Sequence, residues 1–207
     1  MSKKIMKRSL ALGALMAFVI TGSAWAAGEK FFPRTESLKL YEVSFDNATY
    51  DEISITSEGS FGVSMAGQHT LKANQRIVIS SYSSGILAEN SDQPENSTLV
   101  VSAPTITIKD VENYGNSGIH LDGWDRFTKG PKVYVEDFSE LSITANGNYC
   151  YGIRVNCDNS LVRVDGDKKG VIKINAGSGG VVSTMKGDIE LIAKDIEITS
   201  NGRGTST

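Results

Sequence analysis

The sequence predicts an all-β chain, a right-handed parallel β-helix behind a cleaved signal peptide. Three observations carry this. One apolar–polar–apolar grammar recurs six times, a glycine followed by Ile or Val closes five of the six units, and the head of the chain is basic, then apolar, then small.

The six units are ISITSEGSFGV from Ile53, IVISSYSSGI from Ile77, ITIKDVENYGNSGI from Ile106, LSITANGNYCYGI from Leu141, IKINAGSGGV from Ile172 and IEITSNGRG from Ile196. The glycine pairs are Gly62-Val63, Gly85-Ile86, Gly118-Ile119, Gly152-Ile153 and Gly180-Val181. Ile55, Ile79, Ile108, Ile143, Ile174 and Ile198 are equivalent, at spacings of 24, 29, 35, 31 and 24. A constant skeleton with uneven spacing places insertions in loops. A further apolar pair precedes most units: Val43 and Phe45, Leu99 and Val101, Val133 and Val135, Val162 and Val164, Ile189 and Leu191. The unit at Ile77 offers only Leu71 there. Each repeat therefore reads as three short strands whose period-2 alternation sends one set of side chains inward.

One such triangle cannot bury its own core, so the next must stack about 4.8 Å away and pair in parallel. The right hand follows from the rule for parallel crossovers. Glycine before the second strand is expected at a corner needing positive φ. An antiparallel sandwich would alternate similarly but has no reason to repeat a three-strand grammar with glycine in one place.

At the head, Lys3, Lys4, Lys7 and Arg8 precede an apolar run from Leu10 to Ile20, and Ala24-Trp25-Ala26 supplies the small residues of a signal-peptidase site. The run is short of the roughly 20 residues that span a bilayer. Residues 1–26 are thus expected to be removed on export, leaving a lead-in or cap at 27–40 and the coils at 41–207. Removal takes four of the 21 basic residues and none of the 24 acidic ones, leaving 17 against 24 and a net charge of −7. That balance argues against nucleic acid or anionic lipid as the main partner, since both are bound through Lys and Arg clusters.

Chemistry is sparse. No nucleophile-elbow, zinc-protease or phosphate-loop spacing occurs, nor the nonapeptide calcium repeat. Neither catalytic residues, metal ligands nor a cofactor is predicted. His69 and His120 read as turn or surface residues, and Asp110 and Glu112 are isolated. The best candidate is HLDGWDRF, residues 120–127, where Asp122, Trp124, Asp125 and Arg126 could receive a sugar, an aromatic platform beside acids. Against it stands the plain reading of a bulged loop whose Trp124 covers a strand end. Cys150 and Cys157 are an even pair in an exported chain, which invites a disulfide. The repeat runs an extended strand between them, and seven residues of strand span about 20 Å, far beyond bridging distance. Either the strand bends or both thiols stay free.

The signal segment followed by I-x-I, a polar turn and G-[IV] in a Ser-, Thr- and Asn-rich chain resembles the passenger region of Gram-negative autotransporters, over residues 40–207. The resemblance implies a surface-exposed adhesin or structural stalk without catalysis, with a glycan or protein on a host or neighbouring cell as partner. It also implies a C-terminal outer-membrane β-barrel, for which this sequence has no candidate strands. The chain therefore reads as the N-terminal piece of a longer protein. Pectate-lyase-like enzymes share such coils, so a polysaccharide lyase is the rival reading.

Overall fold

The computed structural model describes residues 30–34, 38–39, 49–58, 61–89, 97–123 and 129–202. The signal segment, and the predicted strand residues Val43 and Phe45, lie outside the described residues. In chain order the first strands are β1 (Lys30–Arg34), β2 (Leu38–Lys39), β3 (Thr49–Ser57), β4 (Val63–Ser64), β5 (Gln68–Ser81) and β6 (Ile86–Glu89). Three-strand repeats follow: β7 (Thr98–Ser102), β8 (Thr105–Lys109) and β9 (Ser117–Asp122), then β10 (Lys132–Glu136), β11 (Glu140–Ala145) and β12 (Tyr151–Asn156). The next is β13 (Leu161–Asp165), β14 (Val171–Ala176) and β15 (Gly179–Ser183), and the last described strands are β16 (Asp188–Ile192) and β17 (Asp195–Ser200).

All the described pairings are parallel, and each strand pairs with its counterpart one repeat away. Three ladders result. One runs β5-β7-β10-β13-β16, the second β1-β3-β5-β8-β11-β14-β17, and the third β2-β4-β6-β9-β12-β15. The first two join into one sheet because the 14-residue β5 passes through both, pairing with β7 by Gln68–Lys72 and with β8 by Arg76–Ser80. Visiting three parallel ladders in rotation is consistent with a β-solenoid.

Register follows the repeat. Ile55, Ile79, Ile108, Ile143 and Ile174 pair in sequence and continue to Ile198. Ile53, Ile77, Ile106, Leu141, Ile172 and Ile196 form a second column two residues earlier. Val63, Ile86, Ile119, Ile153 and Val181 form the column of the third ladder. Leu99, Val133, Val162 and Ile189 stack on the remaining side, with Val101, Val135, Val164 and Leu191 beside them. At the repeat that offered only Leu71, that residue pairs with Val101, and His69 takes the position opposite Leu99. The inward residues from Ile53 to Ile174 are essentially solvent-free, whereas Ile196 and Ile198 on β17 are 45% exposed. Each buried Ile contributes about 1.5–3 kcal/mol of apolar transfer, which makes the columns the main source of stability.

The repeated glycines have another reason than the corner conformation expected. Positive φ occurs at Gly67, Gly115 and Gly202, not at Gly62, Gly85, Gly118, Gly152 or Gly180. The constraint there is contact between repeats: a Cβ on Gly85 would lie 2.2 Å from Ile108 Cγ2 and 2.7 Å from the carbonyl oxygen of Gly118, and one on Gly152 2.1 Å from Ile174 Cγ2. Each glycine leaves the space that the branched Ile of the next repeat fills.

Candidate functional site

On β9, Ile119 and Leu121 point into the core, so alternation turns His120 and Asp122 outward. The register sets His120 between Leu87 of β6 and Arg154 of β12, and Asp122 beside Asn156. Thr184, following β15, donates through its hydroxyl to Asn156 Oδ1. Of the four residues predicted for the glycan loop, the structure places Asp122, half-buried at the end of β9. Trp124, Asp125 and Arg126 lie outside the described residues.

His120 is not the surface residue expected. It is 8% exposed, and burial pushes its pKa down from 6.5 to about 4, with Asp122 pulling it back up and Arg154 adding to the fall. Its Nε2 and the Nε of Arg154 are both buried without a hydrogen-bond partner. Unsatisfied buried polar atoms are costly and uncommon, and here two belong to register neighbours. Arg154 is otherwise well held: Nη1 donates to the carbonyl of Gly115 at 3.3 Å, and the guanidinium lies 5.3 Å from the Tyr151 ring centroid. His69 is half-buried, with Nε2 2.6 Å from the carbonyl oxygen of Ala66.

Beside this face, the turns between the second and third ladders carry a run of tyrosines. Tyr82 follows β5, Tyr114 lies between β8 and β9, and Tyr149 lies between β11 and β12, with Tyr151 opening β12. Tyr82 is 49% exposed and Tyr114 67%. The rings of Tyr114 and Tyr149, from successive repeats, pack with centroids 4.7 Å apart and planes at 49°. Their turns are sewn together. The amides of Glu112 and Asn113 donate to the Tyr82 carbonyl, and that of Gly115 to the Asn148 carbonyl. Asn116 Nδ2 donates to the carbonyls of Asn113 and Tyr114, while its Oδ1 accepts from Ser84. These tyrosines fall outside every catalytic motif weighed for the sequence. Their signal was present in SYSSGI, ENYGNSGI and GNYCYGI, where an aromatic recurs between the I-x-I and the glycine.

Cys150 and Cys157 flank β12 as free, buried thiols. The strand stays extended between them, so the bend that a disulfide required is not made. Cys150 donates from Sγ to the Asn113 carbonyl at 3.0 Å and packs with Val111 and Ala145 in a small satellite core. Burial raises both thiol pKa values, that of Cys157 to about 11.

At the ends of β10 and β13, an open depression of about 420 Å³ is lined by Glu136, Asp137, Asp165 and Asp167 around Arg163. Arg163 pairs with Asp165 at 2.8 Å and with Glu190 at 3.4 Å, which accounts for part of that charge. Among the described residues, no group of three His, Cys, Asp or Glu is arranged to hold a metal ion. Asp110 accepts from the Ser80 hydroxyl, and Glu112 is exposed in the Tyr114 turn. No protein-family model, curated protein or solved structure matches the chain.

Proposed function

We propose that the chain is an exported passenger segment of the autotransporter kind, a right-handed parallel β-helix acting as a stiff adhesive stalk at the cell surface. The observation that supports it best is the unbroken set of apolar columns through successive repeats. Such a core makes a rigid prism whose outward residues are free to vary and to bind along its length. The basic and apolar head with Ala24-Trp25-Ala26 supports export. A run of tyrosines, two of them exposed, beside the outer face of the third ladder suits a spread contact surface better than a single deep pocket.

The test expresses the chain in a Gram-negative host, fused through its C-terminus to an outer-membrane β-barrel. The reading expects Ala27 as the first residue, susceptibility to protease added to intact cells, and increased adhesion of those cells to mammalian or bacterial surfaces. An uncleaved Met1 on cytoplasmic material, or display without added adhesion, overturns it. Calcium-dependent release of unsaturated products from acidic polysaccharide by the purified chain would favour the lyase instead.

A further inference from the structure

Building on the adhesive reading, we infer that the corner carrying Tyr82, Tyr114, Tyr149 and Tyr151 is a binding strip for a neutral glycan chain lying along the stack of repeats. Two of these rings, Tyr82 and Tyr114, stand well out in water, while Tyr149 and Tyr151 are half-buried beside them. Tyr114 keeps 67% of its surface in water and Tyr82 49%, so about half or more of the apolar burial each ring could give is unused.

A second observation is independent of exposure. Tyr149 holds φ at 58°, in the left-handed region that costs a side-chain-bearing residue about 1–2 kcal/mol. Its ring packs against that of Tyr114. Left-handed φ also occurs at Asp110, Asp137, Asn159, Asp167 and Lys168, but a bulky aromatic held there beside an exposed ring marks a candidate functional surface. The support beneath is rigid: Gly115 bonds across to Asn148, and Arg154 ties the Gly115 carbonyl to the Tyr151 ring.

Ligand class follows from size and charge. The strip crosses three repeats at about 4.8 Å each, so it is some 10–15 Å long. A stable protein partner would need about 800 Å² on each side, whereas two or three sugar rings match this length. Flat aromatic faces receive the apolar face of a pyranose, and the exposed amides of Asn146 and Asn148 meet its hydroxyls. Glu112 is exposed in the same turns and the Arg154 guanidinium is already bonded to the Gly115 carbonyl, so among the described residues the strip offers no free cation to select a carboxylated sugar.

Titration calorimetry of the purified chain against cello-, laminari-, manno- and xylohexaose, with hexagalacturonate as the acidic arm, tests this. The expected result is saturable binding of at least one neutral hexasaccharide, weaker binding of the acidic one, and an affinity loss of about tenfold in Tyr114→Ala. Tyr114→Phe should bind nearly as the parent does. Tyr149→Gly relieves the strained backbone but gives up the ring contact with Tyr114, so it should remain folded yet bind less tightly. Failure of all four neutral sugars up to about 10 mM, preference for hexagalacturonate, or unchanged affinity in folded Tyr114→Ala and Tyr149→Gly overturns the inference. The assay does not depend on export. Displayed Tyr114→Ala cells that adhere as strongly as the parent's refute the strip and leave the stalk reading standing, while sugar binding by a chain that is never exported does the reverse.

Discussion

A Cβ placed on Gly118 would lie 2.3 Å from Cγ2 of Ile143, in the next repeat, and 2.7 Å from the carbonyl oxygen of Gly152. The glycine of one repeat and the Ile of the next are two halves of one packing contact, which explains why both motifs recur together. Gly118→Ala should therefore cost about 3 kcal/mol, as overpacking against backbone cannot relax by rotamer change. Adding Ile143→Leu removes the Cγ2 branch but leaves the carbonyl, so rescue should be incomplete. Gly115 is the contrast, with φ +77 and nothing within 4 Å of an added Cβ. There Ala should cost about 1–2 kcal/mol from backbone conformation alone. Urea unfolding of the three variants measures the order, and equal costs at Gly115 and Gly118 would refute the steric account.

Register predicts a sharp difference between adjacent positions. Ile143 is 1% exposed, and Thr144 points the other way, half-buried on the outer face. Ile143→Asp buries an unpaired carboxylate and should abolish cooperative folding, whereas Thr144→Asp should shift stability by less than about 1 kcal/mol. Circular dichroism melts that lose comparable stability in both variants would disprove the assigned faces.

His120 should make the protein acid-sensitive. Its folded pKa, about 4, lies below the unfolded value of 6.5, so the unfolded chain binds the proton more readily. The neutral imidazole's contribution is complete above about pH 6.5, declines as pH falls towards 4 and is lost below it, on the order of 3 kcal/mol in all. Leucine, as in its register neighbour Leu87, should remove this slope and raise stability at neutral pH. Subtracting the His120→Leu stability curve from the parent's isolates the effect. A flat difference between pH 7 and 4 would count against burial of the neutral ring.

Both thiols should be silent in the native state. Burial and raised pKa values disfavour the thiolate at Cys150 and Cys157. Alkylation at pH 8 should be slow when folded and reach two equivalents in denaturant without reductant. A non-reduced mass 2 Da below that of the dithiol would show a disulfide instead.

Much of the fold was written in the sequence because parallel stacking is a local repeat. A period-2 alternation says which side chains go inward, and equivalence between units says which residues meet, so the columns of Ile55, Ile79, Ile108, Ile143 and Ile174 could be drawn without coordinates. The rest depends on contacts between residues roughly 20 to 40 positions apart. Sequence supplied the glycines but the wrong reason, since the distance from Gly118 to Ile143 exists only once repeats are stacked. Composition made His120 a surface residue, yet the register puts it between Leu87 and Arg154, where it loses water and its charge. The tyrosines, spread over 69 positions from Tyr82 to Tyr151, became a strip because the stack brings each turn onto the one before. Alternation fixes the inward face of every strand; what the outward faces assemble is set by the stacking and by turns whose geometry is particular to each repeat.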